Sequence, residues 1–257
     1  MAYALITGAS KGIGKAIATE LASRKIDLLL VARSAENLKV LGDDLSKKYG
    51  VKTALLAVDL SAENAPQQVF DWCTKENFSI SILVNNAGYG LSGNFDKYTL
   101  QENLNMLQLN MLVPVAFTQL FLPQLFKQPQ AYILNTASSA AYQAIPGLAL
   151  YAASKSFLLS FSRGLHQELR NKNVSVTCLS PGATDTDFVV RAQLGAKGLK
   201  AASQVNMTPE AVAKIAVKAM FRKKPEVIAG TINKLGAVMS WLLPKSLVER
   251  TTMKIYQ

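Results

Sequence analysis

The chain has 257 residues, 49% of them hydrophobic and 18% charged, a composition that excludes the disordered class and fits one globular domain. Its formal net charge of +11 comes from basic residues scattered along the chain, which argues against a nucleic-acid surface and favours a phosphorylated small ligand. Cys73 and Cys178 lack CxxC spacing and His166 is the only histidine, so we expect no disulfide framework, no metal site and no histidine-dependent nucleophile.

The N-terminal part of the chain alternates short β-type runs with longer helical patterns. The order is strand AYALIT, helix GIGKAIATELASRK, strand DLLLVAR, helix AENLKVLGDDLSKKY and strand KTALLAVD. The first apolar run ends at Thr7 and Gly8 and has no basic region before it, so we expect no signal peptide and a cytoplasmic location. These elements predict a βαβαβ unit.

The alternation continues to about Gly230. The patterns are helix AENAPQQVFDWCTKEN, strand SILVNNAG, a long helix around LQENLNMLQLNMLVPVAFTQLFLPQLF, strand AYILNTAS, a helix containing YAASK, strand VSVTCLS, helix TPEAVAKIAVKAMFRK and strand EVIAG. LLLVA and ILVN are continuously apolar, as in strands covered by helices on both faces. We predict a single α/β domain over residues 1–257, with a Rossmann-type, doubly wound parallel sheet of about seven strands.

Two segments do not fit this alternation. Residues 187–205 show no clear strand, and we expect a lid over the site there. Residues 231–257 carry Trp241, Leu242 and Leu243 with flanking lysines. This tail could wall a substrate pocket, pack against a second subunit or rest on a membrane surface. We expect core or subunit packing in preference to membrane contact.

The segment TGASKGIG places Gly8, Gly12 and Gly14 between the first strand and the first helix. Small residues there let the backbone approach a pyrophosphate, and the helix N-terminus presents N–H groups and partial positive charge to it. Tight turns also use glycine, so the cluster is weak evidence by itself. Its place in a βαβ unit strengthens the prediction of a dinucleotide site.

Further motifs follow in a recognisable order. They are Asp59 in VDL, NNAG from Asn85 to Gly88, Ser138 thirteen residues before Tyr151, YxxxK at Tyr151 and Lys155, and PG at Pro181 and Gly182. Together with the TGxxxGxG turn, this set resembles the short-chain dehydrogenase/reductase superfamily over residues 5 to about 186. The resemblance implies a nicotinamide-dependent oxidoreductase with a Rossmann-type fold.

Charge indicates which nicotinamide cofactor binds. NAD sites usually place an acidic side chain after the second strand, whereas this chain has Arg33 there and Lys11 in the glycine turn. Both cations can pair with a 2′-phosphate, so we predict NADP(H). The resemblance implies that Asp59 contacts the adenine, and it favours Thr186 over Thr184 as the partner of the nicotinamide carboxamide. The complete expected cofactor set is Gly8, Ser10, Lys11, Gly12, Ile13, Gly14, Arg33, Asp59, Leu60, Asn86, Ala87, Gly88, Tyr151, Lys155, Pro181, Gly182, Thr184 and Thr186.

Tyr151 and Lys155, at positions i and i+4, lie on one face of a helix. A cation roughly 4 Å from a phenol is worth about 4 kcal/mol at an effective dielectric constant near 20, which brings the phenol pKa towards a range useful for proton transfer. The resemblance implies that Tyr151 is the general acid/base, that Ser138 binds the same substrate oxygen and that Lys155 holds the nicotinamide ribose. It also implies that Asn110 supports a water linking Lys155 to solvent.

The resemblance extends to the substrate and to assembly. YGLSGNF after NNAG, together with the tail, resembles family members that handle hydrophobic ketones of fatty-acyl or steroid-like type. An NADP-dependent dehydrogenase of a hydroxy acid or small polar alcohol remains an alternative, and so does a non-catalytic dinucleotide-binding sensor or regulator. Family members commonly pair through the long helices around Asn110 and Tyr151, so we expect a homodimer or homotetramer.

Overall fold

The computed structural model describes residues 2–184 and 206–256. The expected lid, residues 187–205, and Thr186 therefore lie outside the described residues.

A seven-stranded sheet runs through the centre of the described structure. Its strands are β1 (Tyr3–Thr7), β2 (Asp27–Ala32), β3 (Thr53–Ala57), β4 (Ile80–Asn85), β5 (Ala131–Thr136), β6 (Val174–Ser180) and β7 (Glu226–Ile228). They lie in the order β3-β2-β1-β4-β5-β6-β7, and every neighbouring pair is parallel. The chain reverses its direction across the sheet between β1 and β4, which is where open α/β sheets bind ligands. The predicted Rossmann-type fold is confirmed.

Helices cover both faces of the sheet. They are α1 (Gly12–Ser23), α2 (Ala35–Tyr49), α3 (Ala65–Lys75), α4 (Leu100–Leu107), α5 (Val113–Leu125), α6 (Ala149–Glu168), α7 (Pro209–Phe221), α8 (Thr231–Leu242) and α9 (Lys245–Tyr256). One core cluster joins α1, α2 and α7 to the sheet, and a second joins α3 and α5 to its other face. Leu28 and Leu30 belong to the first cluster, Leu29 and Val31 to the second. This alternation explains why β2 is apolar throughout.

The long helix expected around Asn110 runs over Leu100–Leu125 and contains one π-helical segment, Gln108–Leu112. By length and composition this helix could cross a membrane. Phe117 and Phe121 are nevertheless fully buried against the sheet, as in the core helix of a globular domain. The π segment bears on function because it contains Asn110, and such segments recur at functional sites.

Candidate active site

Thr7 holds the first βα turn against the end of β4. Its hydroxyl donates to the Val84 carbonyl (3.1 Å) and accepts from the main-chain N–H groups of Asn86 (2.9 Å) and Ala87 (3.1 Å). The Asn86 side-chain amide donates in turn to the carbonyls of Thr7 (3.1 Å) and Gly8 (3.3 Å). NNAG therefore braces the glycine turn, which gives Asn86 a structural role beside the cofactor contact expected of it.

Glycine is required where the turn meets the first helix. Gly8 has φ of +65°, a left-handed conformation that favours glycine. A Cβ on Gly14 would lie 2.2 Å from the Gly8 carbonyl oxygen and 2.5 Å from Nδ2 of Asn86. Gly14 thus allows α1 to pack directly on the turn. Gly12 and Ile13, at the N-terminus of α1, face the adjoining cavity.

The cavity occupies the carboxyl edge of the sheet and has a volume of about 1280 Å³. Pockets for single drug-sized ligands measure about 300–1,000 Å³, so this one has room for a dinucleotide together with a substrate. The expected site residues that line it are Gly8, Ser10, Lys11, Gly12, Ile13, Arg33, Asp59, Leu60, Asn86, Ala87, Gly88, Ser138, Tyr151, Lys155, Pro181, Gly182 and Thr184. Gly14 and Asn110 lie behind this wall, and Thr186 lies outside the described residues.

Two cations stand at the end of the cavity that adjoins β2. Arg33 directly follows β2 and Lys11 directly precedes α1, and both side chains are exposed. Asp59 lies nearby, after β3, where its Oδ1 accepts from the N–H (3.0 Å) and hydroxyl (2.7 Å) of Ser61. This end of the cavity is therefore suited to an anionic group beside an aromatic base.

Lys155 is almost completely buried in the cavity wall, with 5% of its surface exposed. Its Nζ donates to the main-chain carbonyl of Thr136 at the end of β5 (2.9 Å). Loss of solvation on burial lowers the pKa of Lys155 to about 8. The ammonium lies 5.8 Å from the ring centroid of Tyr151, so the pair share one site as their spacing predicts.

Tyr151 and Ser138 come from different elements and face the same cavity. Tyr151 lies in the first turn of α6, where its ring packs against Met106, Ile145 and Leu148. Ser138 follows β5, and its Oγ accepts from the main-chain N–H of Ala140 (3.1 Å). Because that N–H occupies the acceptor side of the hydroxyl, its proton is left to donate into the cavity.

Asn110 is fully buried, and its amide forms three hydrogen bonds. Oδ1 accepts from the main-chain N–H of Tyr89 (3.1 Å), while Nδ2 donates to the Tyr89 carbonyl (2.9 Å) and to Oγ of Ser154 (3.0 Å). Ser154 donates to the carbonyl of Tyr151 (2.7 Å). The side chain thus connects the loop after β4 to the helix of Tyr151. Both donors of Nδ2 are used in these bonds, whereas Oδ1 accepts one hydrogen bond and can accept a second, from a donor such as the water that the family resemblance assigns to Asn110.

Gly182 lies under the first turn of α8. A Cβ there would come within 2.1 Å of Nδ2 of Asn233, whose amide is anchored on the Ala229 carbonyl (2.8 Å). Thr184, the alternative carboxamide partner, donates its hydroxyl to the Gly182 carbonyl (3.1 Å). The PG segment is therefore clamped between the end of β6 and α8.

The tail supplies one wall of the cavity, which is one of the alternatives that its sequence left open. Five residues of α8 contribute: Ile232, Asn233, Gly236, Ala237 and Ser240. They recur at the 3.6-residue helical period, so the sequence already indicated that they share one face of a helix. No motif indicated that this face lines the cavity. Thr136, Gln143, Ile145 and Leu148 are other lining residues that the motifs did not indicate.

Comparison with known proteins adds independent evidence. The family model for short chain dehydrogenase matches residues 2–197. A very-long-chain 3-oxoacyl-CoA reductase of Anas platyrhynchos is 33% identical over 228 residues, which cover 80% of this chain and 71% of that protein. An NADP-dependent 3-hydroxy acid dehydrogenase of Schizosaccharomyces pombe is 32% identical over 235 residues, which cover 89% of this chain and 90% of that protein.

Solved structures agree with this fold. A short-chain dehydrogenase of Sphingobium yanoikuyae in complex with NADPH is 28% identical, with a TM-score of 0.82 over 94% of this chain and 95% of its own. A second protein, from Burkholderia phymatum in complex with NAD, is 23% identical, with a TM-score of 0.82 over 93% of this chain and 92% of its own. The second likeness supports the fold alone.

Proposed function

Because the chain belongs to the short-chain dehydrogenase family, whose oxidoreductases act on CH–OH groups, we propose that it reduces a hydrophobic ketone with NADPH as hydride donor. The observation that carries this proposal is the convergence of Ser138, Tyr151 and Lys155 on one cavity large enough for cofactor and substrate together. The closely packed glycine turn lines the same cavity.

The residues present fit a dinucleotide. The bare backbone at Gly8 and Gly14, where a side chain would collide, leaves the start of α1 open to a pyrophosphate. Gly12 and Ile13 would hold the phosphates, Asp59 and Leu60 the adenine, and Asn86 to Gly88 the adenosine side. Lys155 would bind the nicotinamide ribose, and Pro181 and Gly182 would cover the nicotinamide end.

The side chains have distinct chemical tasks in the proposed reaction. A nicotinamide cofactor, when bound, would supply hydride to the carbonyl carbon. Tyr151 transfers its phenolic proton to the carbonyl oxygen, and the Ser138 hydroxyl donates a hydrogen bond to that oxygen. The Lys155 ammonium, 5.8 Å from the ring, stabilises the resulting phenolate by about 3 kcal/mol at an effective dielectric constant near 20.

The cofactor preference rests on Arg33 and Lys11. A guanidinium and an ammonium at the rim attract a 2′-phosphate, whereas NAD sites usually carry a carboxylate after β2. A named relative and a solved structure with 28% identity use NADP or NADPH, which agrees with this charge argument.

The substrate preference rests on the cavity wall. Ile145, Leu148, Ile232 and Ala237 present apolar surface around the catalytic end. A very-long-chain 3-oxoacyl-CoA reductase among the relatives handles a substrate of this character. The alternative is oxidation of a 3-hydroxy acid, which the name of the yeast relative favours. Gln143, a polar lining residue, would then face the carboxylate.

Activity measurements separate these possibilities. We would follow NADPH oxidation with ketones of increasing chain length and NADP reduction with hydroxy acids and small alcohols. Turnover should rise with the apolar surface of the ketone. The Tyr151→Phe variant should bind NADPH normally and lose about 10²–10⁴-fold in kcat. Tyr132→Phe is a matched control, since its ring packs on Phe221 away from the cavity, and it should turn over normally.

Each outcome of these measurements favours a different function. Full turnover by Tyr151→Phe would show that the proton-transfer assignment is wrong. Efficient turnover of hydroxy acids alone would favour the dehydrogenase. If NADPH binds but no carbonyl or alcohol reacts, the sensor or regulator becomes the better interpretation.

We also propose self-association through the helices flanking the site. Leu104, Leu112 and Phe157 are exposed on α4, the π segment and α6, and Phe157 stacks on Phe161. An apolar surface of this kind is typical of subunit contacts. Light scattering measures the subunit number directly.

A further inference from the structure

Helix α8 has two different faces. Asn233, Gly236, Ala237 and Ser240 recur at helical spacing and line the cavity. Away from the cavity the helix exposes five apolar side chains, each at least 40% exposed: Ile232 at the edge of the cavity-lining face, then Leu235, Val238, Met239 and Leu242. The polar residues Thr231 and Lys234 are exposed beside them. We call these five residues the outer stripe of α8. An amphipathic surface helix normally turns its apolar side inwards, so this orientation is reversed and indicates an external apolar partner.

The surroundings of the outer stripe are basic and aromatic. Trp241 is 78% exposed, and its ring can lie at a boundary between water and an apolar phase. Residues 231–253 contain three basic residues (Lys234, Lys245 and Arg250) against one acidic residue, Glu249. The whole chain carries +11. Exposed apolar side chains in a segment of net positive charge match the acyl and headgroup layers of an anionic bilayer.

We propose that α8 and α9 form a docking surface for an anionic lipid bilayer, with the outer stripe inserted among the acyl chains. A second copy of this chain fits less well, because symmetric pairing through this surface would bring like charges together. The tail was expected to favour core or subunit packing, but the described outer stripe is not part of the core.

Docking would also place the cavity next to the lipid. Ile232 belongs both to the outer stripe and to the cavity lining, so the apolar surface continues from the bilayer side into the mouth of the cavity. On the proposed function, which this step assumes, a hydrophobic ketone dissolved in the bilayer would enter the site without crossing water. The docking itself does not depend on that assumption.

Vesicle co-sedimentation of the full chain, without NADPH or ketone, tests the docking. The probes are vesicles of phosphatidylcholine alone and of phosphatidylcholine mixed with phosphatidylglycerol. We expect at least about tenfold stronger binding to the mixed vesicles, weakened by salt, because each basic residue near an anionic surface contributes about fivefold. The Leu235→Glu/Met239→Glu variant should lose binding at least about tenfold. The Lys234→Glu/Arg250→Glu variant should lose the preference for anionic vesicles.

Matched controls make the same chemical changes elsewhere. Leu100→Glu replaces a side chain that is 74% exposed on α4, and Lys47→Glu/Lys48→Glu reverses two charges on α2; both should bind as the parent does. Circular dichroism confirms that each variant is folded. Failure of the parent to bind mixed vesicles, or undiminished binding by Leu235→Glu/Met239→Glu, overturns the proposal. A third outcome also overturns it: the parent does not bind vesicles and is a dimer, and Leu235→Glu/Met239→Glu is a monomer. A second copy of the chain would then cover the outer stripe.

Discussion

Replacing Lys155 with methionine should stabilise the protein near neutral pH while abolishing its proposed reaction. Lys155 has only 5% of its surface exposed, and burial lowers its pKa from 10.5 to about 8. Each pKa unit corresponds to about 1.4 kcal/mol, so holding the charged lysine in the native state costs about 3 kcal/mol. Loss of the hydrogen bond from Lys155 to the Thr136 carbonyl offsets about 1 kcal/mol of the gain. The expected net stabilisation is about 2 kcal/mol.

The pH dependence has a definite sign. Folding depresses the pKa of Lys155. The parent protein therefore pays no penalty for burying this lysine above the unfolded pKa of 10.5, and it loses stability as the pH falls from there through about 8. Between those values the unfolded chain binds more protons, and the parent gains stability as the pH rises. The free-energy cost of burying Lys155 in the parent protein should shrink from about 3 kcal/mol near pH 7 to about 1 kcal/mol near pH 9.5. The advantage of the methionine variant should shrink by the same amount.

Urea unfolding of the protein without cofactor, at these two pH values, measures the difference. Lys214→Met is the control, because Lys214 is an exposed lysine on α7 and its replacement should change the stability by less than about 0.5 kcal/mol. A Lys155→Met protein that is less stable than the parent near pH 7 would refute the reasoning. An advantage that did not depend on pH would also refute it, since it would reflect packing and not charge.

Two further substitutions test the cofactor and the scaffold. Arg33→Asp should reduce kcat/KM for NADPH by about 10–100-fold, because a charge-assisted contact to the 2′-phosphate is lost, and it should raise the use of NADH relative to NADPH. An unchanged ratio of the two kcat/KM values would contradict the assignment of Arg33. Asn110→Ala removes three buried hydrogen bonds to Tyr89 and Ser154, so it should lower the free energy of unfolding by about 3 kcal/mol in urea titrations. A loss below about 1 kcal/mol would show that Asn110 connects the loop after β4 to α6 only weakly.

The sequence predicted the parts of the fold that depend on periodicity. Continuous apolar runs gave the strands, and the burial of β2 on both faces is the physical reason that the pattern was readable. The i, i+4 spacing of Tyr151 and Lys155 predicted one shared site, and the two side chains do face one cavity. In these places local sequence and tertiary structure agree.

Other features depend on contacts between distant residues, which a single sequence does not show. The π segment Gln108–Leu112 is apolar like the helix around it, so periodicity predicted one uniform helix. Thr7 ended a predicted strand, and nothing local indicated that its hydroxyl would hold Asn86, 79 positions away. The direction of α8 was undecided for the same reason, because its two faces acquire meaning only from their neighbours.

The cavity concentrates groups that are unfavourable without a ligand. Lys155 is charged and desolvated, and within the described residues the buried Oγ1 of Thr136, on the same wall, has no hydrogen-bond partner. Either could be replaced by an apolar side chain of similar size with a gain in stability, so folding does not explain their presence. A polar ligand that accepts from both would relieve both costs only when it is bound. The free energy that these two groups cost the empty protein is then recovered on binding and adds to the affinity for the ligand. Cofactor binding should therefore also raise the free energy of unfolding.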